Sequence, residues 1–177
     1  MIYVFLADGF EEMEALAPVD VMRRAGLSVC TVGVTGRQVT GSHGVTVTAD
    51  AVEFDPADCE AVVLPGGMPG TAHLDESSLV AGALRAAAEK GRLIAAICAA
   101  PSVLGHKGLL TGRRATCYPG WEKELTGAEY TGEPVTEDGN LITARGAGVA
   151  VEFGLALTAR LTSPEKAEQI GRSMQCR

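Results

Sequence analysis

The stretch Ile94-Ala95-Ala96-Ile97-Cys98-Ala99-Ala100-Pro101 puts one polarizable residue where an apolar run meets the start of a helix. Small residues crowd both sides of the sulfur. This is the context of a nucleophile elbow, with alanine where hydrolases often carry glycine. Such a turn strains its backbone, and the free N–H groups of the following helix favour thiolate over thiol. A nucleophile and a well-packed structural cysteine both fit this spacing.

Two other places could serve the same chemistry. Gly66-Gly67 follows Val62-Val63-Leu64-Pro65, and glycines after a strand let the backbone approach a ligand closely. The N–H groups of Gly67 and Ala99 could then hold an oxyanion beside Cys98. Loop punctuation explains a glycine pair as well. No Gly-Lys-Ser/Thr follows, so the loop does not read as a phosphate cradle. Glu11, Glu12 and Glu14 open a helix. Solvated acid at a helix N-terminus is the reading for Glu11 and Glu12, whereas Glu14 could turn back toward the sheet and face Cys98. His43 and His73 fall in loops and read as surface residues, and His106 lies past the helix after Cys98, facing away. No histidine adjoins Cys98, so a Cys-His protease dyad is not signalled.

These residues need a scaffold. Residues 2–7, 61–64 and 93–97 are apolar runs of the kind that form buried strands, and 28–34 reads as a further strand. Between them, 11–25 and 77–90 read as helices ended by Gly26 and Gly91, with a kink or break at Pro18. Residues 37–52 suggest a short β-excursion, and 113–117, 135–137 and 140–144 further strands, the last two joined at Asp138-Gly139. Helices follow at about 100–105, at 148–160 and at 164–172, the last started by Ser163-Pro164-Glu165. Strands alternating with helices predict a mostly parallel sheet with helices on both faces, and sites beyond the carboxyl ends of its strands. Asp8-Gly9, Gly66-Gly67 and Cys98 stand at three such ends.

The 177 residues suit one domain, and 46% hydrophobic with 21% charged residues suits a buried core. A net charge of −7 without a basic run disfavours nucleic acid as a partner. Neither a signal peptide nor a membrane span is read, so the expected location is cytoplasmic. Cys30, Cys59, Cys98, Cys117 and Cys176 form no C-x-x-C pair, so no zinc site is expected and free thiols are the default. Cys30 reads as shielded, Cys59 and Cys176 as exposed, and Cys117 as the one competitor near the site.

Four ordered motifs together resemble a known family. They are Gly9-Phe10-Glu11-Glu12-Met13-Glu14-Ala15 with Pro18-Val19-Asp20-Val21-Met22-Arg23-Arg24-Ala25-Gly26, Val62-Val63-Leu64-Pro65-Gly66-Gly67, the Cys98 stretch, and Arg145-Gly146-Ala147-Gly148 with Glu152-Phe153. The chain is similar over nearly its whole length to the ThiJ/PfpI superfamily, in the branch of the parkinsonism-associated deglycase (DJ-one). The resemblance implies one class I glutamine amidotransferase-like domain over residues 1–177, a flavodoxin-like three-layer sandwich, and a homodimer. It makes Cys98 the nucleophile and oxidation-sensitive thiol, Glu14 the carboxyl group bonded to its sulfur, and Gly67 and Ala99 the oxyanion donors. It implies a cofactor-free glyoxalase or deglycase acting on methylglyoxal, glyoxal or their early adducts, with a role in oxidative stress. The rival is a redox sensor or chaperone read out through Cys98 without turnover. Tyr118 stands where relatives often carry histidine, and His43 where they commonly carry arginine. Ala99 directly after the cysteine argues against the protease branch. Tyr118, Cys117, His43, Gly66 and Arg145 are the further site-lining candidates. The dimer is expected to use Met13, Leu16, Val19 and Met22, joined by Val45 and Val47.

Overall fold

The computed structural model describes residues 1–176. In chain order the elements are β1 (Ile2–Leu6), α1 (Glu12–Arg24), β2 (Val29–Gly33), the hairpin β3 (Gln38–Thr40) and β4 (Thr46–Thr48), and β5 (Ala61–Leu64). Then follow α2 (Gly70–Glu76), α3 (Ser78–Glu89), β6 (Leu93–Ile97) and α4 (Pro101–His106). The chain continues through β7 (Arg114–Ala115), β8 (Glu129–Tyr130), β9 (Val135–Asp138), β10 (Leu141–Ala144), α5 (Ala150–Leu161) and α6 (Pro164–Ser173). The main sheet has the order β2-β1-β5-β6-β10-β9. All its pairings are parallel except that of β9 with β10.

The pattern of continuous apolar strands follows from helices covering both faces. Phe5, Leu64, Val62 and Ala96 pack with the α2, α3 and α4 side chains Leu74, Leu84 and Val103. Val4, Leu6, Val63 and Ile97 pack with Val19, Met22, Phe153 and Leu157 of α1 and α5 on the other face. This is a flavodoxin-like α/β sandwich. From β1 the chain passes first to β2 on one side and later to β5 on the other. The strand order therefore reverses at β1/β5, where such sheets open a crevice at their carboxyl edge.

The expected break at Pro18 does not occur, and α1 runs through it. The lost N–H would have bonded the carbonyl of Glu14, one turn earlier. The proline lies instead under a close helix crossing, since a Cβ on Gly154 of α5 would sit 3.0 Å from the Pro18 Cα. The segment 70–76, unassigned from the sequence, is helical, and β7 is only two residues long. Of the described residues, none lies in a helix long and apolar enough to cross a membrane.

Candidate active site

Three strand ends converge at the crevice. Cys98, directly after β6, has φ +65°, a conformation costing on the order of 1–3 kcal/mol at a non-glycine residue. The strain expected at the elbow is present. Its neighbours hold it in place: the Cys98 N–H donates to the Ala144 carbonyl at 2.8 Å, and the Cys98 carbonyl accepts the Tyr118 N–H at 2.8 Å.

Glu14 comes from the first turn of α1 and is 1% exposed. Glu11 caps that helix, its carboxylate accepting the Glu14 N–H at 2.7 Å. The Glu11 N–H in turn donates to the Gly66 carbonyl at 2.9 Å. The Glu14 Oε2 accepts the Gly66 N–H at 2.9 Å, and the Cys98 thiol and the Ala147 backbone also favour its ionised form. Gly66 is required by this contact. A Cβ there would lie 2.6 Å from Glu14 Oε2 and 2.7 Å from the Cys98 Cβ. The backbones of Ala99 and Gly67 act on the sulfur, each favouring the thiolate.

Burial lifts the Glu14 carboxyl from 4.5 to about 7, against the pull of its contact with Cys98. The Cys98 thiol is lifted as well, first by burial and then by the Glu14 charge. The expectation that the helix N-terminus would leave the thiol ionised needs correction. α4 has six residues and begins at Pro101, beyond the turn. Burial and a neighbouring carboxylate outweigh so short a dipole. Because each group feels the other's charge, the two titrate as one unit. A single negative charge is tolerated, and a second is resisted.

The remaining candidates divide. Tyr118 is half exposed and its ring rests on Gly146, where a Cβ would lie 3.4 Å from the ring Cδ2. Tyr118, Pro119, Arg145 and residues 146–149 line a cavity of about 410 Å3. Cys117 is wholly buried in the α2–α4 face of the core, so it lies near the elbow in sequence yet is closed to solvent. The bonds of His43 run to Glu12, whose carboxylate accepts its N–H and meets its Nδ1, both at 2.8 Å. Glu12 also accepts the Val45 N–H at 3.3 Å. It is therefore buried and pins the β3–β4 hairpin to α1, not solvated as its position suggested. Glu11, Glu12 and His43 do gather three ligand-type atoms within 4.8 Å, but the Glu12 carboxylate is already taken up by the hairpin.

Several expectations about other residues also change. Cys59 is buried, its thiol donating to the Ala61 carbonyl at 3.7 Å. Cys30 is only half-buried, because β2 is an edge strand. His73 sits half-buried in α2 with Nδ1 2.8 Å from the Asp8 carbonyl oxygen. His106 faces away as expected, between Asp75 and Glu124. The influence of the Ala147 backbone on the Glu14 carboxyl was not foreseen, although its motif, Arg145-Gly146-Ala147-Gly148, stood out in the sequence.

Comparison with known proteins places this arrangement. The DJ-1/PfpI family pattern matches residues 1–160. Protein dj-1beta of Drosophila melanogaster is 41% identical over 178 residues, covering 97% of this chain and 94% of that one. Its crystal structure superposes with a TM-score of 0.94 at 40% identity, covering 99% of this chain and 97% of the other. The Parkinson disease protein 7 homolog of Danio rerio is 38% identical, covering 94% of this chain and 92% of its own. A protein of Pyrococcus abyssi named a deglycase is 32% identical over 149 residues, covering 81% of this chain and 89% of its own.

Proposed function

The chain belongs to the DJ-1/PfpI family, and from that premise we propose that it is a cofactor-free, glutathione-independent glyoxalase or deglycase with Cys98 as nucleophile. The observation that carries the reading is the buried Glu14 carboxyl, which flanks Gly66 together with Cys98 at a strained elbow. The deglycase name of the Pyrococcus relative is in keeping with it.

With methylglyoxal, the thiolate attacks the aldehyde carbon and forms a C–S bond, and the aldehyde oxygen takes up the proton of Glu14 to complete a hemithioacetal, leaving Glu14 ionised. The Gly67 and Ala99 N–H groups stabilise the oxyanion as it develops. Ionised Glu14 removes the proton from that carbon and returns it to the neighbouring one, so the first carbon is oxidised and the second reduced. The resulting thioester of the 2-hydroxy acid is hydrolysed by water, which breaks the C–S bond and restores the thiol. The sum is methylglyoxal plus water to lactate, with no external oxidant or reductant. Early adducts of aldehydes with amines or thiols would enter at the same carbon. The physiological role in this reading is protection against reactive aldehydes and oxidative stress in the cytoplasm.

A second reading, a thiol sensor, is favoured by the same donors. The Ala99 and Gly67 N–H groups and a protonated Glu14 suit the oxygens of a cysteine sulfinate. The working unit in either reading is a homodimer. Met13 is 57% and Val45 50% exposed, with Leu16 beside them, whereas Val19 and Met22 belong to the core of their own chain. Lactate formation from methylglyoxal by metal-free protein, with Cys98→Ser alongside, separates enzyme from sensor. The enzyme reading requires turnover in the first and none in the second.

A further inference from the structure

Three backbone carbonyls around the elbow are held by segments that meet again at one histidine. The Gly67 carbonyl accepts the Thr71 N–H at 2.8 Å, from the first turn of α2. The Ala99 carbonyl accepts the Ser102 N–H at 3.0 Å and the Ser102 hydroxyl at 2.7 Å, from the first turn of α4. The Cys98 carbonyl accepts the Tyr118 N–H. From Tyr118 a run of turns leads onward: its carbonyl accepts the Trp121 N–H at 3.1 Å, and the Trp121 carbonyl accepts the Glu124 N–H at 3.0 Å. That run ends in the short 3-10 helix Glu122–Glu124.

The far ends of the three segments are joined by charge. Asp75 stands in the last turn of α2, His106 ends α4, and Glu124 ends the 3-10 helix. His106 Nδ1 lies 2.6 Å from Asp75 Oδ2, and its Nε2 lies 2.9 Å from Glu124 Oε2. Lys107 Nζ donates to the other Asp75 oxygen at 2.6 Å and to the Asp75 carbonyl at 2.9 Å. The 3-10 helix presses on α4 here, since a Cβ on Gly105 would collide with the Glu124 carbonyl oxygen. Between the near and far ends lies a cavity of about 130 Å3, with Thr71, Asp75, Ser102, His106 and Trp121 among its walls. Thr71 is 3% exposed, and its hydroxyl has no hydrogen-bond partner among the described residues. Packing between α2 and α4 is therefore incomplete, and the charged row ties them directly.

A protonated imidazole donates from both nitrogens and reaches both carboxylates. A neutral one has a single N–H and must release one of them. The charged groups facing the ring are Asp75 from α2 and Glu124 from the 3-10 helix, with Lys107 of α4 acting through Asp75. The two carboxylates, Glu124 ahead of Asp75, raise the pKa of the ring. An isolated exposed pair contributes little, but these four charges form a network across three segments.

We propose that His106 is a positioning residue for the reaction: as an imidazolium bridging Asp75 and Glu124, it holds α2, α4 and the Tyr118 segment together and so sets where the Gly67 and Ala99 N–H groups stand beside the Cys98 sulfur. This rests on the reading of those two N–H groups as oxyanion donors. His106 touches no substrate and changes no bond in the reaction.

The test measures kcat and KM for methylglyoxal in wild type, His106→Gln and His106→Arg. The single amide nitrogen of glutamine carries no charge and cannot replace the bridge. Its kcat should fall about tenfold, less than the roughly hundredfold loss when an oxyanion donor is removed outright. KM should stay unchanged, because these bonds strengthen in the transition state. A guanidinium donates on both sides and does not titrate, so His106→Arg should restore kcat. It should also remove the fall in kcat expected on the alkaline side of the wild-type profile, where the imidazolium loses its proton. Should His106→Gln fail to fold, Glu124→Gln, at the more exposed end of the bridge, carries the same comparison. An unchanged kcat in His106→Gln, or His106→Arg as impaired as His106→Gln, overturns the proposal. A second arm needs no turnover. The Gly67 and Ala99 backbones favour the Cys98 thiolate, so alkylation of Cys98 by iodoacetamide should slow in His106→Gln and recover in His106→Arg. Equal alkylation rates in wild type and His106→Gln refute the positioning role. If wild type turns over no methylglyoxal while alkylation slows and recovers as expected, the enzyme reading fails and the positioning role stands. Turnover that is equal in wild type and His106→Gln does the reverse.

Discussion

Cys98 and Cys117 are tied together by a single hydrogen bond between their segments, Tyr118 N–H to the Cys98 carbonyl, and burial raises both thiols. Their surroundings differ in kind. Cys117 is pushed up to about 12 by burial, with the Glu122 charge adding to it, and it is sealed in the α2–α4 face of the core. Cys98 stands on the elbow, half-buried, with backbone N–H groups and a carboxyl that can take or give the same proton. Burial alone makes an inert cysteine. Burial with a proton partner and an opening makes a reactive one.

Replacing each thiol in turn gives the largest contrast. Cys98→Ala should reduce dicarbonyl turnover to background with the fold intact, because chemistry needs sulfur and the elbow needs only a small side chain. Cys117→Ala should keep turnover and lose on the order of 1 kcal/mol of stability for a small core void. Steady-state kinetics and thermal melts read both. Residual turnover in Cys98→Ala would move the nucleophile elsewhere.

Next in size is Gly66→Ala. Its Cβ would intrude on both Glu14 and Cys98 and should lower kcat/KM about a hundredfold by separating them, a typical effect of misplacing catalytic groups. Activity near that of wild type would show that the contact is dispensable.

Graded peroxide offers a chemical version of the comparison. Cys98 should be oxidised first, largely to sulfinate, while Cys117 and Cys59 remain thiols in the folded protein. Peptide mass spectrometry decides it. Earlier modification of exposed Cys176, or a Cys98–Cys117 disulfide as the main product, contradicts the site described above.

The smallest effect is on stability. The Glu14 carboxyl is raised from 4.5 to about 7, so between those values the folded chain binds more protons than the unfolded one. Stability therefore falls as pH rises through that window. Glu14→Gln removes this dependence. It should be more stable than wild type at pH ~8, by on the order of 2 kcal/mol, with the gain gone at pH ~4. Parallel melting temperatures across pH would argue against a raised carboxyl.

Much of this site was legible in the sequence because it is built from strand ends. An apolar run that stops at Cys98, another at Gly66-Gly67 and a third at Asp8-Gly9 must share one edge of a parallel sheet. The alternation of strands and helices likewise revealed the sandwich. What stayed hidden depends on tertiary partners. Cys59 lies between Asp58 and Glu60 and reads as surface, yet its thiol turns inward to the Ala61 carbonyl. Glu12 looks like solvated helix-start acid until the β3–β4 hairpin closes on it. The ionisation of Cys98 was misjudged for the same reason, since a short local helix was visible and the depth of burial was not. The helix at 70–76 was obscured by the Pro65–Gly70 run of turn formers before it.

The central claim is that Cys98 and Glu14 share a single proton, and the pH dependence of Cys98 alkylation tests it most directly. Iodoacetamide rates at Cys98, read by peptide mass spectrometry, should rise in two steps in wild type. The lower step, near pH 7, belongs to the first ionisation of the pair, and Glu14→Gln should replace both steps by one, belonging to the thiol alone. A single step at the ordinary thiol value of about 8.5, identical in wild type and Glu14→Gln, would contradict the account.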